Sequence, residues 1–344
     1  MNPKKKPSKT CLRRTAAFLL LALLLSLCAC RNADLHTLRL YGMGTFCAFT
    51  VESAKEGTDD ASFALKSALS ETEGLLSHRI EGSLPDLLSK NGFLSFAEER
   101  VILALRLAED VKRKTDGRFS VSVLPLTRLW NFDAETPLPP DASQIAAALE
   151  EIKGSALFFE EGGGIRAVGG ALDLGALGKG YACDVLAEIL RSRGESGLIS
   201  VGGSIAAVES KGGKPWTVGV RDPFSASQND TVGVLSLTDA YVSTSGSYEK
   251  TFTYDGVQYH HILDPVTGMP AESDLVSVTV VAPSGVLSDI LSTACFLVGG
   301  EEAFSLAADY GASLIAVTKD GKMLVSEGLR SSFKATFSGE VLYR

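Results

Sequence analysis

Apolar residues recur along this chain with two spacings, and the order in which those spacings alternate restricts the fold more than any other feature. Residues 58–76 place Phe63, Leu65, Ala68, Leu69, Leu75 and Leu76 near the helical period, with Asp59 and Asp60 suited to a first turn. Residues 96–115 repeat the pattern through Val101, Leu103, Leu105, Ala108 and Val111, end on Lys112, Arg113 and Lys114, and stop at Gly117. Residues 142–152, 179–193, 288–297 and 302–308 read as further helices. Strand patterns mark 38–52, where two strands turn at a glycine, and the pair 155–160 and 164–168. They continue at 198–208, 216–220, 232–237, 241–243, 250–254, 259–262, 276–282, 313–317 and 323–325. Helices and strands intermix without strict βαβ alternation, which predicts an α+β fold and not a doubly wound parallel sheet. A chain of 344 residues, 45% of them hydrophobic, buries a sizeable core without disulfide or metal staples.

The first thirty residues stand apart. Lys4, Lys5, Lys6, Lys9, Arg13 and Arg14 precede an apolar run from Thr15 to Cys30 that contains no charge. A basic start with an apolar stretch shorter than the ~20 residues of a comfortable span reads as an export signal. Its end, Leu27-Cys28-Ala29-Cys30, resembles a lipobox, in which a small residue precedes the lipidated cysteine; Cys30 fits and Cys28, after bulky Leu27, does not. A plain signal peptide or an uncleaved anchor is the competing reading. The expected division is a signal at 1–29, a tether at 30–37, one domain at 38–335 and a tail at 336–344. The expected location is the cell membrane, lipid-anchored on its extracytoplasmic face. Removing 1–29 takes six bases and no acid from the formal charge of −8, leaving −14. A surface that acidic repels anionic lipid and nucleic acid alike, so an acyl chain would supply the membrane contact and no nucleic-acid partner is expected. Beyond Cys11, Cys28 and Cys30, only Cys47, Cys183 and Cys295 remain, without CxxC or Cys/His clustering, and they read as small buried hydrophobes.

Four polar segments interrupt the apolar pattern. In Asp173-Leu-Gly175-Ala176-Leu-Gly178-Lys179-Gly180-Tyr181, three glycines at a helix start suit backbone N–H donation to an anion, with Lys179 adding charge. The spacing is not that of a Walker loop, and a glycine-rich turn with an exposed lysine fits equally. Ser243-Thr244-Ser245-Gly246-Ser247 gathers hydroxyls that suit phosphate oxygens or an ordinary turn. His260-His261 sits beside the turn Asp264-Pro265-Val266-Thr267-Gly268; strand alternation lets at most one of the two reach a given site. Asp289 and Thr293 lie at i and i+4 on a mostly apolar helix, an oxygen pair suited to Mg²⁺ and substrate phosphates. The competing reading makes Asp289 a helix cap and bonds Thr293 to its own i−4 carbonyl.

Taken together and in this order, the segments resemble the ApbE family of FAD:protein FMN transferases, exported bacterial lipoproteins. The likeness runs from Met43-Gly44-Thr45 to about residue 325. It includes Ser83, Asn91, Asp116 to Leu126 with Trp130, Val201-Gly-Gly-Ser204, Asp222-Pro223 and the four segments above. Leu84 after Ser83 departs from the family, which usually carries an acid there.

The resemblance implies an ApbE-like mixed sheet-and-helix fold, with a two-lobed form and the site between the lobes as a further expectation. It implies an enzyme that takes FAD as substrate with Mg²⁺ as cofactor. The FMN half would pass to a Thr or Ser hydroxyl of an exported or membrane protein, releasing AMP. It assigns the metal to Asp289, Thr293 and the Ala176 carbonyl, the base to His261, and the phosphates to Lys179, Ser243, Thr244, Ser245 and Gly246. Met43, Gly44, Thr45 and Asn91 would line the flavin nucleotide. The alternatives are Mg²⁺-dependent FAD hydrolysis to FMN and AMP, or an exported flavin-binding lipoprotein without turnover.

Overall fold

A computed structural model of the chain describes residues 34–53 and 58–344; the signal segment and Cys30 lie outside the described residues. The first half comprises β1 (Asp34–Gly42), β2 (Thr45–Ser53), α1 (Thr58–Leu76), α2 (Leu84–Asn91), β3 (Phe93–Leu94), α3 (Glu99–Lys114), α4 (Leu124–Trp130), α5 (Ala142–Ile152), β4 (Ala156–Phe159) and β5 (Ile165–Val168). Then follow α6 (Gly178–Arg193), β6 (Ser196–Val201), β7 (Ser204–Val208), β8 (Trp216–Arg221), β9 (Thr231–Leu237), β10 (Ala240–Gly246), β11 (Thr251–Tyr254) and β12 (Val257–His260). The chain ends with β13 (Leu275–Ala282), α7 (Gly285–Val298), α8 (Gly300–Asp309), β14 (Ser313–Thr318), β15 (Lys322–Val325), β16 (Phe333–Ala335) and β17 (Glu340–Tyr343).

The frame is a nine-stranded sheet in the order β1-β2-β6-β7-β10-β13-β14-β15-β17, antiparallel except for β15 against β17. Pleat alternation splits its side chains between two cores. On β10, Tyr241 enters the core that α6 builds with Leu186 and Leu190, whereas Val242 faces the separate β16-β9-β8 sheet with Trp216 and Leu235. Helices cover one face and a small sheet the other, so the α+β expectation holds. Two smaller sheets, β3-β5-β4 and β11-β12, stand outside this frame. The β11-β12 ribbon rests on a minor core around Trp130, Leu126 and Leu263, with Phe252 and Tyr259 packed against it.

Local chemistry explains several boundaries. Met43 and Gly44 both take positive φ, 54° and 69°, the hairpin turn whose twist suits β1 and β2. Asp141 and Gln144 form a reciprocal capping box at the start of α5. Ser83 caps α2 by accepting the Asp86 N–H, and Leu84 is buried as its first residue, so the segment where the family usually carries an acid is a helix start here.

Three expectations change. Residues 198–208 are not one strand: Gly202, at φ 58°, turns β6 back into β7. Residues 34–37 of the expected tether are strand, pairing with Thr50 to Ser53. The expected tail contains β17, whose pairing with β15, from Lys322–Glu340 to Val325–Tyr343, extends the main sheet. In each case hydrogen bonding to a distant strand decides the outcome. Among the described residues no helix is long and apolar enough to cross a membrane.

Candidate active site

Helices α6 and α7 touch backbone to backbone at their first turns. A Cβ on Gly180 would stand 2.0 Å from the Gly285 carbonyl oxygen, and one on Gly285 would stand 2.1 Å from that of Gly180. This approach brings each helix a carboxylate from the other. Asp289 Oδ2 accepts the Gly180 N–H at 2.8 Å, and Asp184 accepts the Gly285 and Val286 N–H groups at 2.7 and 2.9 Å. Negative charge is favoured at both helix starts. Burial pushes the Asp184 carboxyl up, opposed by those two N–H groups.

The glycine stretch is therefore not an open cradle of N–H donors. Gly175 donates to Asp173 Oδ1, Gly178 to the Leu174 carbonyl and Gly180 to Asp289. Positive charge comes from Lys179, whose Nζ donates to the Gly175 carbonyl at 3.0 Å and stands 3.6 Å from Asp289 Oδ1.

Asp289 is not a cap. Ser284 caps α7 by accepting the Leu287 N–H, and Asp289 lies inside the helix, 4% exposed. Thr293 does not bond its i−4 carbonyl; its hydroxyl is 3.2 Å from Ser245 Oγ. In a regular helix the Gly180 N–H would donate to the Ala176 carbonyl. Here it serves Asp289, and the Ala176 carbonyl accepts no backbone hydrogen bond among the described residues. Asp289 thus takes the N–H that would otherwise serve the Ala176 carbonyl, and the Thr293 hydroxyl lies one turn along α7 from it. Among the described residues no three His, Cys, Asp or Glu side chains converge on a metal position. Such hard, sparse oxygen donors suit Mg²⁺ completed by phosphate oxygens and do not suit zinc.

The hydroxyl segment is strand β10, not a loop, and the pleat divides it. Ser243 and Ser245 face α7, where they meet Ser288 at 2.8 Å and Ser292 at 2.9 Å. Thr244 faces the other way and pairs with Thr279 at 2.9 Å, across the β10-β13 register. Ser243 is fully buried behind Asp289, and Thr244 is turned away from α7 toward β13. Gly246 makes room for the Tyr248 ring, since a Cβ there would stand 2.4 Å from it. Ser245, beside Thr293, is the member of the segment that reaches the site.

The histidines divide as alternation requires. His260 Nε2–H donates to the Ala271 carbonyl and its ring meets Phe296 edge-on, a structural role. His261 Nδ1 lies 3.0 Å from the Glu249 carbonyl, and a carbonyl only accepts, so Nδ1 carries the proton and Nε2 keeps a lone pair. Burial pushes this imidazole down to about 4; the Glu249 carbonyl opposes that, and the Lys250 and Lys179 charges add to it. Lys179 thus acts on both His261 and Asp289.

The Met43 side chain reaches α6: a Cβ on Gly178 would lie 3.4 Å from Met43 Cε. Thr45 lies against Gly202, and exposed Gly44 tops the same turn. Asn91 ends α2, is exposed, and hydrogen-bonds none of these residues among those described. Ser204, Ser288 and Asp184 carry no role in the sequence reading, although Ser204 lies in the Val201-Gly-Gly-Ser204 motif. Hydroxyl residues at a strand start and in an apolar helix were the available signal.

Comparison with known proteins gives the family. The model of the ApbE family matches residues 43–317. A FAD:protein FMN transferase of Treponema pallidum is 32% identical over 311 residues, covering 83% of this chain and 85% of the relative. One from Klebsiella pneumoniae is 31% identical over 268 residues, covering 76% and 83%. The crystal structure of the ApbE protein of Thermotoga maritima superposes with a TM-score of 0.77 at 30% identity, over 87% of this chain and 99% of that one. The flavin transferase ApbE of Vibrio cholerae, at 24% identity and a TM-score of 0.75, shares the fold over 87% and 99%. The chain belongs to the ApbE family.

Proposed function

We propose that this protein is a FAD:protein FMN transferase that moves the FMN half of FAD to a Thr or Ser hydroxyl of a target protein and releases AMP. The observation that carries the reading is the Asp289 carboxylate held on the Gly180 N–H at the start of α6, with the Lys179 ammonium 3.6 Å from it. Asp289, Thr293 and the Ala176 carbonyl would hold Mg²⁺, which offsets diphosphate charge when bound. Lys179 faces the phosphates as a point charge. The acceptor hydroxyl gives its proton to His261 Nε2 as its oxygen bonds the riboflavin-side phosphorus, while the diphosphate P–O bond breaks and AMP leaves with the bridging oxygen. The Glu249 carbonyl holds the imidazole in the tautomer this step needs.

The test is incubation of the protein with FAD, Mg²⁺ and a candidate acceptor, followed by AMP release and acceptor mass. AMP with an FMN-modified acceptor supports the transferase. AMP with free FMN and an unmodified acceptor points to hydrolysis, and no AMP points to a binding protein.

The protein is further read as a lipoprotein, anchored through Cys30 on the extracytoplasmic face of the cell membrane. The basic start, the apolar run and Ala29-Cys30 support this. Cys30→Ser should abolish incorporation of a labelled fatty acid into the protein; unchanged labelling would refute lipidation there.

A further inference from the structure

Behind Asp289 runs a line of buried hydroxyls whose direction follows from proton counting. An ionised carboxylate only accepts, so Ser204 must donate its single hydroxyl hydrogen to Asp289 Oδ1, at 3.0 Å. Ser243 then donates to Ser204, at 3.1 Å, because Ser204 has no hydrogen left. Ser288, 2.8 Å from Ser243, is in turn the donor of that pair and shares its hydrogen with the Gly285 carbonyl at 2.9 Å. Ser204 and Ser243 are register partners on β7 and β10. All three serines are at most 1% exposed, so water does not compete for these hydrogens.

We infer that Ser288, Ser243 and Ser204 form a one-way donor relay that aims the Asp289 carboxylate and so sets the protein's affinity for its divalent cation. The relay binds no metal itself; its members are positioning residues, and the inference rests on the metal reading under Proposed function. Gly180 holds Oδ2 and the relay holds Oδ1, which blocks rotation of the carboxylate about its own axis. Outer partners of metal-binding carboxylates typically matter by about 10–100-fold in affinity. Because the line has one direction, the effect of Ser243 must pass through Ser204.

The test is a Mn²⁺ titration of the purified protein by electron paramagnetic resonance, with saturating FAD and no acceptor. Ser204→Ala should weaken Mn²⁺ binding by roughly 10–100-fold. Ser243→Ala should weaken it less, and the double variant should bind no worse than Ser204→Ala alone. A structural role would instead give additive losses in the double variant, and that result overturns the relay. So does wild-type Mn²⁺ affinity in Ser204→Ala. If Ser204→Ala does not fold, Ser288→Ala takes its place: its loss should vanish on a Ser243→Ala background, and persistence of the loss overturns the relay. Absence of Mn²⁺ binding by the wild-type protein overturns the metal reading, and the relay's purpose with it.

Discussion

Gly180 and Gly285 pack backbone against backbone, each lying where the other's Cβ would need to be, 2.0 and 2.1 Å from a carbonyl oxygen. Neither needs positive φ; both are glycine because two helix starts must meet. The same contact sets Asp289 on the Gly180 N–H and Asp184 on the Gly285 N–H. Gly180→Ala forces the helices apart and should destabilise the fold by roughly 3 kcal/mol, the upper range of overpacking. Denaturant unfolding measures this, and a loss below about 1 kcal/mol, the lower end of that range, would contradict the close approach.

Asp289 contributes the one carboxylate among the proposed metal ligands. Asp289→Ala should abolish FAD-dependent AMP release, with little recovery in excess Mg²⁺, because the Thr293 hydroxyl and a carbonyl carry no charge to replace it. Near-normal turnover in an AMP-release assay would refute the assignment.

His261→Ala should leave FAD binding intact and slow transfer by about 10²–10⁴-fold, the usual contribution of a general base. Fluorescence titration of FAD and single-turnover transfer separate the two effects. An unchanged rate removes His261 as the base.

The pH dependence follows from the lowered imidazole. The active form is neutral, so activity is retained above the folded value and falls as pH drops through it. Since burial brings His261 to about 4, the acid limb of kcat/KM should lie near that value and well below the ordinary 6.5. Bound diphosphate is an anion and raises a nearby imidazole, so the acid limb of kcat should lie at higher pH than that of kcat/KM. Coincident limbs at 6.5 would contradict the buried environment.

Thr244 offers a control on the pleat of β10. Thr244→Val removes a hydroxyl on the far face of the sheet, paired with Thr279, and should cost about 1 kcal/mol of stability with transfer unchanged. A large loss of transfer without loss of stability would mean that Thr244 does reach the phosphates.

Residues 58–76 and 142–152 were legible to the residue because long periodic faces and capping side chains act locally. So was the i, i+4 placement of Asp289 and Thr293, which any helix imposes. Helices α2 and α4, of 8 and 7 residues, were not, since so few residues cannot display a period. Which hydroxyls of 243–247 belong to the site was equally hidden: alternation says that neighbours part, but only the position of α7 says which face matters.

Sequence alone determined the mixture of helices and strands, the polar segments and their family likeness, since each depends on residue type and on spacing within a few turns. Tertiary structure alone decided that the glycines serve helix contact instead of open anion binding. It also decided that Ser243 stands behind Asp289 and that His260 is tied through Nε2 to the Ala271 carbonyl whereas His261 is tied through Nδ1 to the Glu249 carbonyl. Those outcomes depend on which distant backbone fills a space or accepts a hydrogen, and pairing across a sheet or a helix crossing is set by packing of the whole chain.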